Sequence, residues 1–207
     1  MNIAMSLVMA YLLGSIPFAY LISRTKGVDI RRVGDGNVGA FNVFRHVGLG
    51  AGLATLALDI GKGATAIMVA KALHIPEIAV CLAGIAATIG HNWPVFLKFE
   101  GGRGEATIIG VLAVLVPWQM AITFVLGIIV LFTTRNSILT AMAIFIPLPL
   151  TCFGTNRLLG EPSLTVVLYT ALLPCLAGFT HWLTTRRLPP GARKEAGTFW
   201  VANKRNR

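Results

Sequence analysis

Six apolar runs, at residues 2–23, 51–73, 78–97, 106–133, 138–153 and 164–183, fill most of the chain, and short polar segments separate them. A helix that crosses a bilayer needs roughly 20 such residues. The pattern predicts an all-α, polytopic membrane helical bundle over residues 1–185, followed by a basic cytoplasmic tail at 186–207. The fourth run has 28 residues with Pro117 near its middle, so it is either one long kinked helix or two short ones. Charge decides between them. Arg24, Lys26, Arg31, Arg32 and Arg45 follow the first run, and Arg186, Arg187, Arg193, Lys194, Lys204, Arg205 and Arg207 follow the last. Basic residues in short loops collect on the cytoplasmic side. Two helices in the fourth run put both groups on that side, whereas one helix separates them. The expectation is about seven transmembrane helices, N-terminus outside and C-terminus cytoplasmic, with short fourth and fifth helices meeting near Pro117.

Composition agrees with this reading. Only 13% of residues are charged and 55% are hydrophobic, against about 25% charged in a soluble domain. The net charge of +10 would suit nucleic acid, but the basic residues lie in loops and tail without interleaved stacking aromatics, so nucleic acid is excluded as a partner. The first run opens without a basic n-region and its charges follow it, which reads as a membrane helix rather than a cleaved signal. Cys81, Cys152 and Cys175 all lie inside apolar runs, odd in number and without ligand spacing, and read as small core residues with no metal site.

Two glycine-rich polar stretches interrupt the lipid-like chain: GDGNVGAFNVFR at 34–45 and GHNWPVFLKFEGGRGEAT at 90–107. Backbone of this kind cannot face lipid with its N–H and C=O groups unpaired, so it must line a wet site. In the first stretch Gly34, Gly36 and Gly39 permit positive φ and close approach, Asn37 and Asn42 offer amide groups, and Arg45 can hold an oxyanion through two bonds. In the second, Gly101, Gly102 and Gly104 around Arg103 make a nest for an anion, and His91 is a candidate general base or phosphate donor. Trp93, Pro94, Phe96 and Phe99 read as an interfacial segment at headgroup level. Asp59 and Lys62, three apart on one helix face, are either an internal pair or a direct substrate contact. Arg135 and His181 complete the polar inventory on the same side.

The polar chemistry thus gathers at the cytoplasmic face. A secondary transporter more often keeps its site at the midplane, on broken helices from paired repeats, and no internal repeat stands out here. Three classes remain open: an enzyme acting on phosphorylated substrates, a transporter or binding protein for a phosphorylated small molecule, and a structural membrane subunit.

The order and spacing of LLGSIPFAYLI at 12–22, DIRRVGDGNVGAFNVFR at 29–45, LDIGKG at 58–63 and the 90–107 stretch, followed by His181, Arg187, Leu188 and Gly191, resemble the bacterial acyl-phosphate:glycerol-3-phosphate acyltransferases, the PlsY family. The resemblance implies a multi-pass enzyme of phospholipid biosynthesis in the bacterial inner membrane, with its site facing the cytoplasm. It would move an acyl group from acyl-phosphate to the 1-hydroxyl of glycerol 3-phosphate, giving lysophosphatidic acid and phosphate, without metal or other cofactor. Its partners would be these two substrates and membrane lipids. Asp35, His91 and Arg103 are then the candidate catalytic residues. Gly36, Asn37, Asn42, Arg45, Lys62, Gly101, Gly102, Gly104 and His181 are the candidate substrate-binding residues.

The chain departs from that family's pattern at several of these places. Asp35 stands where Ser is usual, Phe41 where Thr is, Arg103 where Lys is, and Thr184 where Asn is. Glu100 replaces a basic residue, Glu105 an apolar one, and Arg193 a Glu. Added carboxylates near an anion site repel phosphate unless a cation neutralises them or they work as bases. Two accounts are favoured together: Asp35 is the general base while Glu100 and Glu105 pair with Arg103 or Lys98, and the acceptor differs from glycerol 3-phosphate. A third is a divergent, weakly active relative.

Overall fold

In the computed structural model, which describes residues 3–186 and 188, the chain is helical throughout, with no strand among the described residues. The helices are α1 (Ile3–Gly14), α2 (Phe18–Thr25), α3 (Ala40–His46), α4 (Leu49–Ala72), α5 (Glu77–Asn92), α6 (Glu105–Leu115), α7 (Pro117–Thr134), α8 (Ser137–Phe145), α9 (Leu148–Leu159) and α10 (Leu164–Thr185). Six spans are long and apolar enough to cross a membrane: Ile3–Thr25, Leu49–Ala72, Glu77–Leu97, Pro117–Thr134, Ser137–Leu159 and Leu164–Thr185. The predicted all-α membrane bundle is what forms. Most of the basic tail lies outside the described residues.

Prolines account for the breaks. Val116 leaves helical geometry at φ −138°, and Pro117 restarts the chain at the first position of α7. The fourth run therefore divides there, but unevenly. α6 is short at 11 residues, whereas α7, expected to be short, has 18. The first and fifth runs, read as continuous, are broken as well: α1 stops before Pro17, and α8 gives way to α9 at Pro147. A proline removes the donor that would continue the ladder, and this disruption is tolerated in a membrane where neighbouring groups satisfy the freed backbone.

Glycine sets the closest helix contacts. A Cβ at Gly14 would strike the Ala87 carbonyl, and one at Gly90 would strike that of Tyr11, so α1 and α5 pack antiparallel, backbone on backbone. Gly63 against Thr107 and Gly110 against Ile60 do the same for α4 and α6. Without a hydrophobic drive between helices in lipid, small residues let backbones approach and gain dispersion contacts. The interior around α4, α5, α6 and α10 is filled by Ile67, Ile108, Val111, Leu112 and Leu173. Leu158, Trp118, Phe132 and Leu150 are more than 70% exposed on α7 and α9, as lipid-facing residues should be. Cys81 and Cys152 are core residues as expected, but Cys175 is exposed on α10.

The bundle has two unlike ends. At one, Glu77 accepts a hydrogen bond from Ser163, which also caps α10. At the other, the segment before α3, the segment between α5 and α6, and the end of α10 come together, and the candidate site lies there.

Candidate functional site

The first polar stretch folds around its own side chains. Asp29 caps a single 3₁₀ turn at Ile30–Arg32 and binds Arg31 through both oxygens, at 3.0 and 2.8 Å. The side-chain hydrogen bonds from Arg31 pull the Asp29 carboxyl down to a pKa of about 2, and Arg31 itself lies over the Tyr20 ring. Asn42 on α3 is fully buried, with Nδ2 within 3.0–3.1 Å of the Ile30, Val33 and Asn37 carbonyls. Its amide gathers the loop. Gly34 (φ +60°) has no alternative, since a Cβ there would meet Asn42 and His46. This leaves Asp35 pointing inward with its side chain wholly buried.

Asp35 meets two cations from different parts of the chain. Arg103 Nη2 donates to its Oδ2 at 2.9 Å, and Arg45 Nη2 lies 3.8 Å from its Oδ1, which also accepts from the Asn37 N–H at 3.2 Å. The side chains of Arg45 and Arg103 are 6% and 8% exposed. α10 fixes Arg103 from the other side: Nε donates to Thr184 at 3.3 Å, and Thr180 Oγ1 lies 3.2 Å from the Arg103 carbonyl while accepting from Asn92 at 3.4 Å. The glycine turn before Arg103 is packed onto the end of α5. Gly102 N–H donates to the His91 carbonyl at 3.1 Å, and a Cβ on Gly102 would run into the His91 ring and the Val38 carbonyl.

Beside this turn is a cavity of about 360 Å³. Arg31, Asn92, Glu100, Thr180 and Thr184 form its polar wall, Gly36, Gly101 and Gly102 its backbone, and Val38, Trp93, Phe99 and Leu183 its apolar part. Phe99 and the neighbouring Phe96 are exposed, so the cavity adjoins an apolar rim. Behind it, on the other side of Val38 and Gly101, a much smaller cavity of about 10 Å³ reaches Asp59, Lys62 and His91. There Lys62 Nζ sits 2.8 Å from Asp59 Oδ1 and donates to the Ile16 carbonyl at 2.9 Å, and His91 Nδ1 lies 3.6 Å from the same oxygen. Ile16 belongs to the break between α1 and α2, and Lys62 gives a second donor to its carbonyl, which also accepts from the Phe18 N–H at 3.1 Å.

Residues 4–191 match the sequence model of the glycerol-3-phosphate acyltransferase family. This chain belongs to that family. Glycerol-3-phosphate acyltransferase 4 of Dehalococcoides mccartyi is 42% identical over 180 residues, which cover 86% of this chain and 95% of that protein. A glycerol-3-phosphate acyltransferase of Thermus thermophilus is 38% identical over 196 residues, covering 93% and 94%. Among solved structures, PlsY (YgiH), described as an integral membrane glycerol 3-phosphate acyltransferase, superimposes in its glycerol 3-phosphate form with a TM-score of 0.80 at 32% identity, covering 93% of this chain and 94% of that one. Its lysophosphatidic acid form gives 0.79 at 30% identity, covering 95% and 98%.

In this acyltransferase-family chain the residues singled out from sequence fall into three groups. Gly36, Gly101 and Gly102 line the larger cavity. Asp35, Arg45 and Arg103 stand directly behind its wall, joined to one another, and Asn37 and Asn42 shape the loop that carries Asp35. Lys62 and His91 are deeper, in an internal trio with Asp59, so of the two readings of the Asp59–Lys62 pair the geometry shows the internal one. Gly104 (φ +85°) opens α6 against Asn92, and His181 is half-buried on α10, one turn before Thr184. Of the expected pairings of Glu100 and Glu105 with Arg103 or Lys98, Glu100 lies instead 3.7 Å from Arg31, whereas Glu105 is within electrostatic reach of Arg103, whose short hydrogen bond goes to Asp35. Sequence reasoning set Asn92 beside His91 against the glycine turn without giving it a role, and left Thr180 out of the site. The signal for Thr180 was faint but present, since Thr180 and Thr184 recur at one-turn spacing at the end of an apolar helix.

Proposed function

We propose that the protein transfers an acyl group from acyl-phosphate to the 1-hydroxyl of glycerol 3-phosphate at the cytoplasmic face of a bacterial inner membrane. The observation that carries this reading is a cavity walled by Arg31 and the Gly101–Gly102 turn, with Arg45 and Arg103 directly behind that wall, in a chain that matches a glycerol 3-phosphate acyltransferase over 93% of its length. Both substrates carry phosphate, and Arg45 and Arg103 are the guanidinium groups in reach of it. Arg31 adds a third cation at the cavity wall, beside Glu100. The apolar rim at Trp93, Phe99 and Leu183 suits the acyl chain of a donor that arrives from the lipid.

The chemistry asks little covalent work of the protein. The acceptor hydroxyl attacks the acyl carbon, the bond from that carbon to the phosphate oxygen breaks, and the hydroxyl proton leaves with the phosphate as hydrogen phosphate. Holding the two phosphates and the hydroxyl in register supplies most of the help, with Arg103 and Arg45 on the phosphate of glycerol 3-phosphate and Arg31 at the cavity wall towards the departing phosphate. The Gly101 N–H is a further donor in the Gly101–Gly102 turn, since the Gly102 N–H is committed to the His91 carbonyl. His91 supports that turn from behind, so its proposed part is to position the turn rather than to take a proton directly. Asn37 and Asn42 hold the facing loop, Lys62 holds the α1–α2 break, and Gly104 and His181 complete the surroundings of Arg103.

The test is phosphate release by the purified protein from acyl-phosphate, with and without glycerol 3-phosphate, and with the lipid product weighed by mass spectrometry. Acceptor-dependent release with lysophosphatidic acid formed is expected. Folded protein that releases no phosphate on adding glycerol 3-phosphate would sink this acceptor and turn the search to other hydroxyl compounds or to transport.

A further inference from the structure

The two guanidinium groups assigned to phosphate already hold an anion. Asp35 gives Oδ2 to Arg103 at 2.9 Å and faces Arg45 with Oδ1 at 3.8 Å, and its side chain is wholly buried between them. We propose that Asp35 is a tethered counter-anion which an incoming phosphate group displaces, so that Asp35 sets the affinity for phosphorylated substrate. This rests on the phosphate role proposed above for Arg45 and Arg103.

Three features make this an exchange site rather than a permanent brace. The cluster is one residue behind the larger cavity: Gly36 beside Asp35, Gly102 beside Arg103, and Thr184, which accepts from Arg103, all line it. The hold is uneven, since one contact is a short charged hydrogen bond and the other is too long to be one. And Asp35 is carried on a loop outside any helix, next to Gly36, which has no side chain to stand between it and the cavity. Charge supplies the drive. Arg45 and Arg103 both face Asp35, with Glu105 also within electrostatic reach of Arg103, whereas a phosphate monoester brings a charge of roughly −1.5 to −2 and three acceptor oxygens. Phosphate and carboxylate together would repel each other in this small space, so one replaces the other. Once displaced, the carboxylate has the cavity beside Gly36 to enter.

The experiment compares wild type with Asp35→Asn and Asp35→Ser, in two readouts at fixed pH and ionic strength. One is the KM for glycerol 3-phosphate with acyl-phosphate as donor. The other is the rise of the unfolding temperature with inorganic phosphate, which needs no turnover. The expected result is a KM three- to tenfold lower in both variants, and stabilisation by inorganic phosphate at three- to tenfold lower concentration. If no form turns over but the phosphate shift moves as described, the acyltransferase reading fails and the counter-anion stands. A KM that rises or stays put, a phosphate response no tighter than wild type, or failure of both variants to fold would overturn the proposal and leave Asp35 as a base or a brace.

Discussion

Two buried carboxylates, Asp35 and Asp59, each face two basic side chains, and they differ in what surrounds them. Asp59 is built into α4, three residues from Lys62, and its other neighbour, His91, lies on the tightly packed α5. The space beside it is about 10 Å³, and Lys62 is further committed to the Ile16 carbonyl. Asp35 is on a loop between two glycines with positive φ, its partners come from two other segments, and a cavity of about 360 Å³ adjoins it. The same chemistry of carboxylate and cation is locked in one place and exchangeable in the other. Whether a buried pair serves the fold or a ligand is decided by the room around it, more than by the pair itself.

The sharpest way to break the comparison is at its locked side. Lys62→Ala would leave Asp59 buried and without its cation, which costs on the order of 3–5 kcal/mol. The unfolding temperature of purified protein should drop steeply, and Asp59→Leu together with Lys62→Met should recover most of it. A Lys62→Ala variant as stable as wild type that binds phosphorylated substrate poorly would move Lys62 to the exchangeable side.

On the exchangeable side the effect should fall on binding. In Arg45→Ala, Asp35 keeps its 2.9 Å bond to Arg103, so the fold should survive. Loss of one charged phosphate contact, about 1.5–3 kcal/mol, corresponds to a KM for glycerol 3-phosphate raised roughly tenfold to a hundredfold. An unchanged KM would remove Arg45 from the site.

The smallest effect belongs to the outer pair, Asp29 with Arg31. Its carboxyl titrates at about 2 in the folded chain against an ordinary 3.8. A lowered carboxyl contributes stability that is complete above about pH 4 and disappears as the pH falls through about 2. The unfolding temperature of wild type should therefore exceed that of Asp29→Asn slightly above pH 4, with the gap closing towards pH 2 and narrowing in high salt. A gap that widens on acidification would contradict the sign.

Much of this molecule was legible in one dimension. The apolar runs name the membrane helices because lipid acts on each segment separately: a spanning segment must be predominantly apolar, with most of its backbone groups satisfied within its own helix. The division at Pro117 and the facing of Asp59 and Lys62 are equally local, since a missing donor and a three-residue spacing operate within one helix. The two glycine-rich stretches also declared themselves, as backbone that lipid would not accept. What only the tertiary structure decided is which charges meet. On paper Glu100 could be assigned to Arg103 or Lys98, Lys62 to phosphate or to Asp59, and Asp35 to any nearby cation with equal ease. The choice depends on α10 carrying Thr180 and Thr184 to Arg103, on the break before Pro17 presenting a carbonyl to Lys62, and on Asn42 turning Asp35 inward. Charge pairing acts over a few ångströms but is blind to sequence distance, so partners are fixed only once the helices have packed.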